Sequence, residues 1–357
     1  MINVTKTFLP PFEEYTAMLK RAWDKAWITN DGELSFELEK KLKEYLGVKN
    51  LRFCTNGTVV LQMSLKALNI TGEIITTPFS YVATANAILW ENCKPVFVDI
   101  SEKNFCIDAS KIESAITPNT QAILATHVYG YPCDVNAIEA VAKKHNLKVI
   151  YDAAHAFGTC INNESIFNYG DVSTCSFHAT KLFHTVEGGC VITNDDQLSE
   201  KLYYYSHFGH SADKYFSIGI NGKNSEFHSA MGLCNLKYID DILESRKSQW
   251  LYYKDLLKDS ELQFLQVEKK IKYNYAYFPV IFPSEDILLK TIEALKIKNI
   301  IPRRYFYPAL NTLSYLPYQP CPVAEDIAKR IICLPLFHDL TKEQQSIITN
   351  IILEVLT

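Results

Sequence analysis

The spacing of apolar residues along this chain switches between helix-like and strand-like, and the switches fall in a regular order. Apolar positions recur at helical spacing from Phe12 to Trp27 and again from Leu34 to Leu46, where Phe36, Leu38, Leu42 and Leu46 mark one face. Ile28-Thr29-Asn30-Asp31-Gly32 separates the two with turn chemistry. Leu51–Cys54 reads as a short strand, Thr55-Asn56-Gly57-Thr58 as a glycine turn, and Leu61, Leu65 and Leu68 as the apolar face of the next helix. From Glu73 the alternation continues, with strands at 74–76, 95–99, 122–127 and 148–152 and helices at 83–90, 109–116 and 136–145. Such alternation predicts an α/β fold, a mostly parallel sheet with helices on both faces.

Beyond Asp152, two strand-like runs, one with Val172, Cys175 and Phe177 and one with Cys190, Val191 and Ile192, flank a turn that holds Lys181. Helical spacing resumes at Glu226 and is expected to run on to about Lys258. The remainder alternates strand (275–281), helix (286–296), a strand-like run (302–307), helix (323–332) and a last helix after Thr341. The expected division is a large domain over residues 1–245 and a small C-terminal α/β domain over 246–357. No internal repeat or low-complexity segment interrupts the pattern.

Composition narrows the function classes. With 357 residues, 48% hydrophobic and 12% aromatic, the chain can fill a sizeable core without staples. The net charge of −4 and the lack of a Lys/Arg block interleaved with aromatics argue against a nucleic-acid partner. The ten cysteines never form a CxxC pair, so neither a zinc site nor a disulfide framework is expected, and no metal is assigned. The N-terminus lacks a basic segment followed by an apolar one, and no window approaches about 18 uninterrupted apolar residues. A soluble, cytoplasmic protein without a membrane partner is the expectation.

In open α/β sheets ligands gather at the carboxyl ends of strands, which here carry Tyr81, His127 and Asp152. The turn before the Leu61 helix offers Gly57, where a phosphate could approach the backbone, and the Thr58 hydroxyl, at the positive end of a helix dipole. An ordinary cap by Thr55 or Asn56 is the alternative. Asp152 ends an apolar run beside small residues, either as a buried-rim carboxylate or as a cap for the following turn. His155 could equally be a core histidine. The polar loop Gly219–Ser225 has no packing reason to exist.

Taken together, an anion site at Gly57-Thr58, an aromatic ring at Tyr81, a strand-end carboxylate at Asp152 and a turn amine at Lys181 are what pyridoxal 5'-phosphate requires. It needs an anchor for its phosphate, a surface for its ring, an anion to keep its ring nitrogen protonated, and an amine to bond its aldehyde carbon. The same amine, once released, is placed to move a proton as general base and acid.

The segments TNGT, TTPFSYVATANAI, HVYGYPCDVNAI, VIYDAAHAFGT, GDVSTCSFHATKLFHTVEGGCVITND, GINGKNSEFHSAMG, RYFYPALN and CLPLFHDLT resemble, in order and spacing, those of the DegT/StrS aminotransferases. These are fold-type I pyridoxal-phosphate enzymes that act on nucleotide-linked keto sugars, and the resemblance runs essentially end to end. It implies Lys181 as the cofactor-bonding lysine, Asp152 as partner of the ring nitrogen, His155 beside the ring and its phenolic oxygen, and Tyr81 as the stacking aromatic. It implies Gly57, Thr58 and Ser176 as phosphate ligands, with Asn221 reaching in from the neighbouring subunit of a homodimer. Thr29, Asn30, Lys223, Tyr307 and Asn311 are the implied substrate contacts. Two positions depart from the pattern: Asn311 stands where many members have histidine, and Lys223 where arginine is usual, a point charge without the bidentate fork.

What the resemblance implies for the reaction is transfer of an amino group from glutamate, by way of the pyridoxamine 5'-phosphate form, to a dTDP-4-keto-6-deoxyhexose for a surface polysaccharide. Val186-Glu187-Gly188-Gly189 and TPFSYVAT resemble the C4-aminating members. A C3 transaminase is the nearest alternative. A family dehydratase carries histidine where Lys181 stands, and a non-catalytic cofactor-binding regulator is the remaining alternative.

Overall fold

The computed structural model describes all 357 residues. Seven strands form the central sheet: β1 (Asn50–Cys54), β2 (Glu73–Thr76), β3 (Lys94–Phe97), β4 (Thr120–Thr126), β5 (Lys148–Asp152), β6 (Val172–Ser176) and β7 (Gly189–Thr193). Their spatial order is β1-β7-β6-β5-β4-β2-β3; β7 runs antiparallel to both neighbours and the others share one direction. β4 and β5 sit at the centre, and Ile123, Leu124, Val149 and Ile150 are buried there. Such near-continuous apolar runs are what a sheet covered on both faces demands.

Helices α1 (Phe12–Asp24), α2 (Glu33–Leu46), α3 (Gly57–Ala67), α4 (Ala83–Trp90) and α5 (Val135–His145) follow the expected pattern closely. α1 stops short of the expected Trp27, because Ala26 turns into the left-handed region at φ 50°. The single long helix expected from Glu226 is two, α6 (Glu226–Leu236) and α7 (Ile239–Leu256). α6 packs on α1 and α2, while α7 packs on the last helix, Lys342–Leu356, and one straight axis would not serve both.

Two later expectations also shift. The strand-like run expected at 302–307 forms no strand: a short strand lies just before it, Ile300–Ile301, paired in parallel with Ile2–Asn3, and within the run Arg303 makes a single bridge to Cys333. Pro302 and Pro308 have no N–H to donate to a ladder. The helix expected to reach residue 332 ends at Arg330, where the β-branched pair Ile331-Ile332 begins a strand, Ile331–Leu334, paired with Phe278–Ile281. That pair divides two apolar clusters: Phe278, Val280, Ile332 and Leu334 join a separate one with Trp250, Leu288 and Ile348, whereas Ile281, Ile331 and Cys333 belong to the main cluster, which spans the sheet and reaches Phe306 and Leu310. All ten cysteines are unpaired, and every one but Cys160 is buried. No helix is long and apolar enough to cross a membrane.

Candidate active site

Asp152 closes β5 between Thr126 of β4 and Thr174 of β6, and is 5% exposed. Its Oδ2 accepts a hydrogen bond from Thr84 Oγ1 at 2.7 Å, and Oδ1 accepts from the Ala154 N–H at 3.1 Å. Ser80 Oγ lies 2.7 Å from Thr84 Oγ1 and accepts from Thr126 Oγ1 at 3.2 Å. Each hydroxyl has one proton, so the order is fixed: Thr126 donates to Ser80, Ser80 to Thr84, and Thr84 to the carboxylate. Burial pushes the Asp152 carboxyl up, while Thr84, the Ala154 N–H and the Lys181 amine pull it back toward the ionised form.

Lys181 lies in the loop between β6 and β7, which is closed on itself. The Phe177 N–H donates to Gly188 O at 2.8 Å, and the Thr185 N–H to Phe177 O at 2.9 Å. Phe177 and Phe183 are buried, meet edge to face at 5.0 Å, and Phe183 stacks on Phe157 at 4.4 Å. Asn235 of α6 donates to His184 O at 2.9 Å. A half-buried amine thus stands on a loop held from below. Burial pulls its pKa down to about 8, with the Asp152 carboxylate and Cys175 opposing.

The start of α3 faces these groups. Asn56 is its cap: Oδ1 accepts from the Thr58 N–H at 3.0 Å and the Val59 N–H at 2.9 Å. The alternative cap reading therefore holds together with the glycine turn, and it engages Thr58's backbone donor. A Cβ on Gly57 would lie 2.9 Å from Ser176 Cβ, and one on Gly189 would lie 2.6 Å from the Asn56 carbonyl carbon. Only glycine lets these three segments close on one another.

Gly57, Thr58, Tyr81, Asp152, His155, Ser176 and Lys181 all line one cavity of about 300 Å³. His155 is buried, its Nδ1 has no partner, and its ring lies parallel to that of Phe306 and edge-on to that of Tyr277. Burial and the nearby Lys181 charge hold its pKa far below the ordinary histidine value, so it is neutral.

His127 stands apart, although it follows β4 as Asp152 ends β5. It is fully buried, its Nδ1 accepts the Cys133 N–H at 3.0 Å, and its ring stacks on Tyr151 at 4.6 Å, outside the cavity. Tyr307 lines a neighbouring cleft. Asn311 is fully buried, and its amide nitrogen donates to Glu325 Oε1 at 2.6 Å and Gln319 O at 2.8 Å, so it packs structure rather than facing the cavity. Thr29 and Asn30 are exposed, and the next residue, Asp31, places Oδ2 2.7 Å from His207 Nε2. Asn221 is exposed and accepts from Lys223 Nζ at 2.9 Å; neither lines the cavity of its own chain.

Three residues escaped sequence reasoning: Glu187 and Arg303, which line the cavity, and Thr84, which touches it only through Asp152. Thr84 is one of several small residues in TTPFSYVATANAI, and only the meeting of α4 with β5 singles it out. Glu187 served as part of a motif, yet its side chain faces the cavity with His178 Nε2 at 3.5 Å. Arg303 fell in a stretch read as a strand, and no local signal marked it.

The model of the DegT/DnrJ/EryC1/StrS aminotransferase family matches residues 12–353. The dTDP-4-amino-4,6-dideoxy-D-glucose transaminase of Shigella dysenteriae is 42% identical over 99% of each chain. The GDP-perosamine synthase of Escherichia coli O157:H7 is 34% identical over 90% of each. The solved structure of DesI with its TDP-sugar product superposes with a TM-score of 0.95 at 28% identity, covering 99% of this chain and 93% of that one. The chain belongs to the DegT/DnrJ/EryC1/StrS family and is a pyridoxal-phosphate-dependent sugar aminotransferase of the fold its periodicity predicts.

Proposed function

We propose that this enzyme transfers the amino group of L-glutamate to C4 of a dTDP-4-keto-6-deoxyhexose, giving a dTDP-4-amino-4,6-dideoxyhexose for surface polysaccharide such as O-antigen, as a cytoplasmic homodimer. The observation that carries this reading is the 42% identity, over 99% of both chains, to a transaminase named for that class of product.

The cavity's own groups fit pyridoxal 5'-phosphate. A buried carboxylate, an amine with a pKa near 8, a neutral histidine with an unpartnered ring nitrogen and a glycine-floored helix start all face one space. In this reading Gly57, Thr58 and Ser176 hold the phosphate, and Asn221 of a second copy completes that cradle. Tyr81 covers one ring face, and Asp152 pairs with the ring nitrogen. When bound, the cofactor supplies a carbonyl that amines attack and an electron sink for the carbanion left by proton removal.

The chain's residues then have separable tasks. Thr84 and the Ala154 N–H hold the Asp152 carboxylate in one orientation and favour its charge, which burial alone would oppose. Lys181, with its pKa lowered toward neutrality, takes a proton at its Nζ and returns it, a task best done by a group that titrates near the working pH. His155, neutral and walled by Phe306 and Tyr277, offers an uncharged hydrogen-bonding edge.

The test is incubation of the purified holoenzyme with glutamate and a panel of dTDP-, UDP- and GDP-linked 4-keto and 3-keto sugars, followed by NMR of the product. Nitrogen at C4 of the dTDP sugar is the expected result. Nitrogen at C3, or turnover only with another base, overturns the corresponding part.

A further inference from the structure

The cavity continues outward. A second cleft of about 350 Å³ shares Ser80, Tyr81, Arg303, Tyr305 and Phe306 with the inner cavity and adds Tyr307, Pro308 and Leu310. The inner chamber carries the reactive amine and carboxylate, whereas the outer one is walled largely by flat aromatic and apolar groups. Arg303 lies on the wall that both share.

The two neighbouring arginines differ in what they already hold. The Arg304 guanidinium donates to Glu285 Oε1 at 2.7 Å and to Lys329 O at 2.9 Å, and lies 3.5 Å from the centre of the Tyr307 ring. Arg303 is exposed, forms no ion pair and donates no side-chain hydrogen bond, and has only the Tyr305 ring near its guanidinium, at 5.8 Å. The other basic side chains on the inner cavity are engaged: Lys181 is committed to the chemistry, and the His178 ring faces Glu187. Arg303 is therefore the cation at this junction that lacks a counter-ion. A guanidinium presents paired donors that match two oxygens of a phosphate, and nucleobases stack on aromatic side chains.

We propose that Arg303 grips the diphosphate of the substrate, with the nucleoside in the outer cleft against Tyr305 and Tyr307 and the sugar directed inward to Lys181. The inference rests on the reading of the protein as a nucleotide-sugar aminotransferase. It adds the residue that measures the distance between the nucleotide and the reacting carbon. A ligand whose charge lies one group nearer to the sugar, or further away, would miss the fork.

Calorimetric binding of dTDP alone to the holoenzyme tests this without any turnover. Arg303→Gln is expected to weaken dTDP binding about tenfold or more, the effect of losing a charge-assisted pair of hydrogen bonds, with Arg303→Lys intermediate. Tyr307→Ala is expected to weaken it about tenfold by removing a stacking surface. Both side chains are exposed, so neither change threatens folding. In steady state, Arg303→Gln should raise the KM for the keto sugar more than that for glutamate. Wild-type affinity for dTDP in Arg303→Gln overturns the proposal, as does a larger loss for glutamate, which would assign Arg303 to the donor's carboxylate. If the wild-type enzyme binds dTDP through Arg303 yet aminates no sugar in the panel, this site stands and the proposed reaction falls.

Discussion

Asp152 and Asn221 were both assigned to the cofactor, yet the structure surrounds them in opposite ways. Asp152 is buried and receives two hydrogen bonds from its own chain, at the end of a row of three hydroxyls that all donate toward it. Asn221 is exposed, its amide oxygen takes only Lys223 Nζ, and its loop is tied by its backbone to the residue before the α3 cap, where Thr55 N–H donates to Gly222 O at 2.9 Å. The Thr29-Asn30 loop is exposed in the same manner, and Asp31 pairs it with His207 at the start of the region that leads to Asn221. A wall built by one chain is complete in one chain. Under the homodimer proposed above, loops whose polar ends face solvent beside that wall would finish a second copy's site.

Lys181→Ala is the most severe way to break the comparison from the inner side. Removing the amine is expected to cut turnover about 10⁴-fold, the upper range for a positioned proton-transfer group, and to abolish the visible band of lysine-bound cofactor near neutral pH. Survival of both would detach Lys181 from the chemistry. The free protein sharpens the same point, because its amine must be neutral to bond the cofactor. Its pKa of about 8 lies below that of an ordinary lysine, so the neutral fraction grows as pH rises and saturates above that value. Uptake of pyridoxal 5'-phosphate by the apoenzyme, followed by stopped-flow absorbance, should rise about tenfold per unit below the pKa and then level off. A rise that continues to the usual lysine range would show that the loop does not bury the amine.

Thr84→Val tests the wall itself. The change keeps the shape, removes the donor to Asp152, and leaves Ser80 with nothing to donate to. Activity is expected to fall about tenfold and stability by about 1–3 kcal/mol, as a buried polar group loses its partner. Because the Thr84 bond favours the ionised carboxylate, its loss moves the Asp152 pKa further up. The acid limb of the pH–rate profile should therefore move to higher pH, and Thr84→Ser should restore it. An unchanged limb would mean that the hydroxyl row serves packing alone.

Sequence periodicity located Asp152 because it stands where a strand meets a turn, and Lys181 because its loop lies between two strand-like runs, and such alternation shows in one dimension. It placed His127 by the same logic and erred: the ring turns into the layer beneath, onto Tyr151, and no spacing rule reports which way a strand-end side chain points. Thr84 was invisible since its role depends on α4 meeting β5 across intervening strands. The continuous helical spacing across Lys237-Tyr238 hid a break, because both halves are helical and only their different packing partners separate them. Asn311 looked like a substrate contact by motif, but its amide is engaged with Glu325 and Gln319.

Asn221→Ala probes the other side of the comparison and should have the smallest effect. If the loop completes a partner's phosphate cradle, losing one amide should weaken cofactor retention about threefold, the worth of a single hydrogen bond. Any loss should appear only at concentrations where sedimentation shows a dimer, since in a separated chain Asn221 has no cofactor to touch. Dialysis of holoenzyme at two protein concentrations, above and below the dissociation range, distinguishes the cases. A wild-type monomer that retains the cofactor with full affinity would confine the whole cradle to Gly57, Thr58 and Ser176. The exposed loops would then be free of the cofactor, and their pairing through Asp31 and His207 would have only a structural purpose.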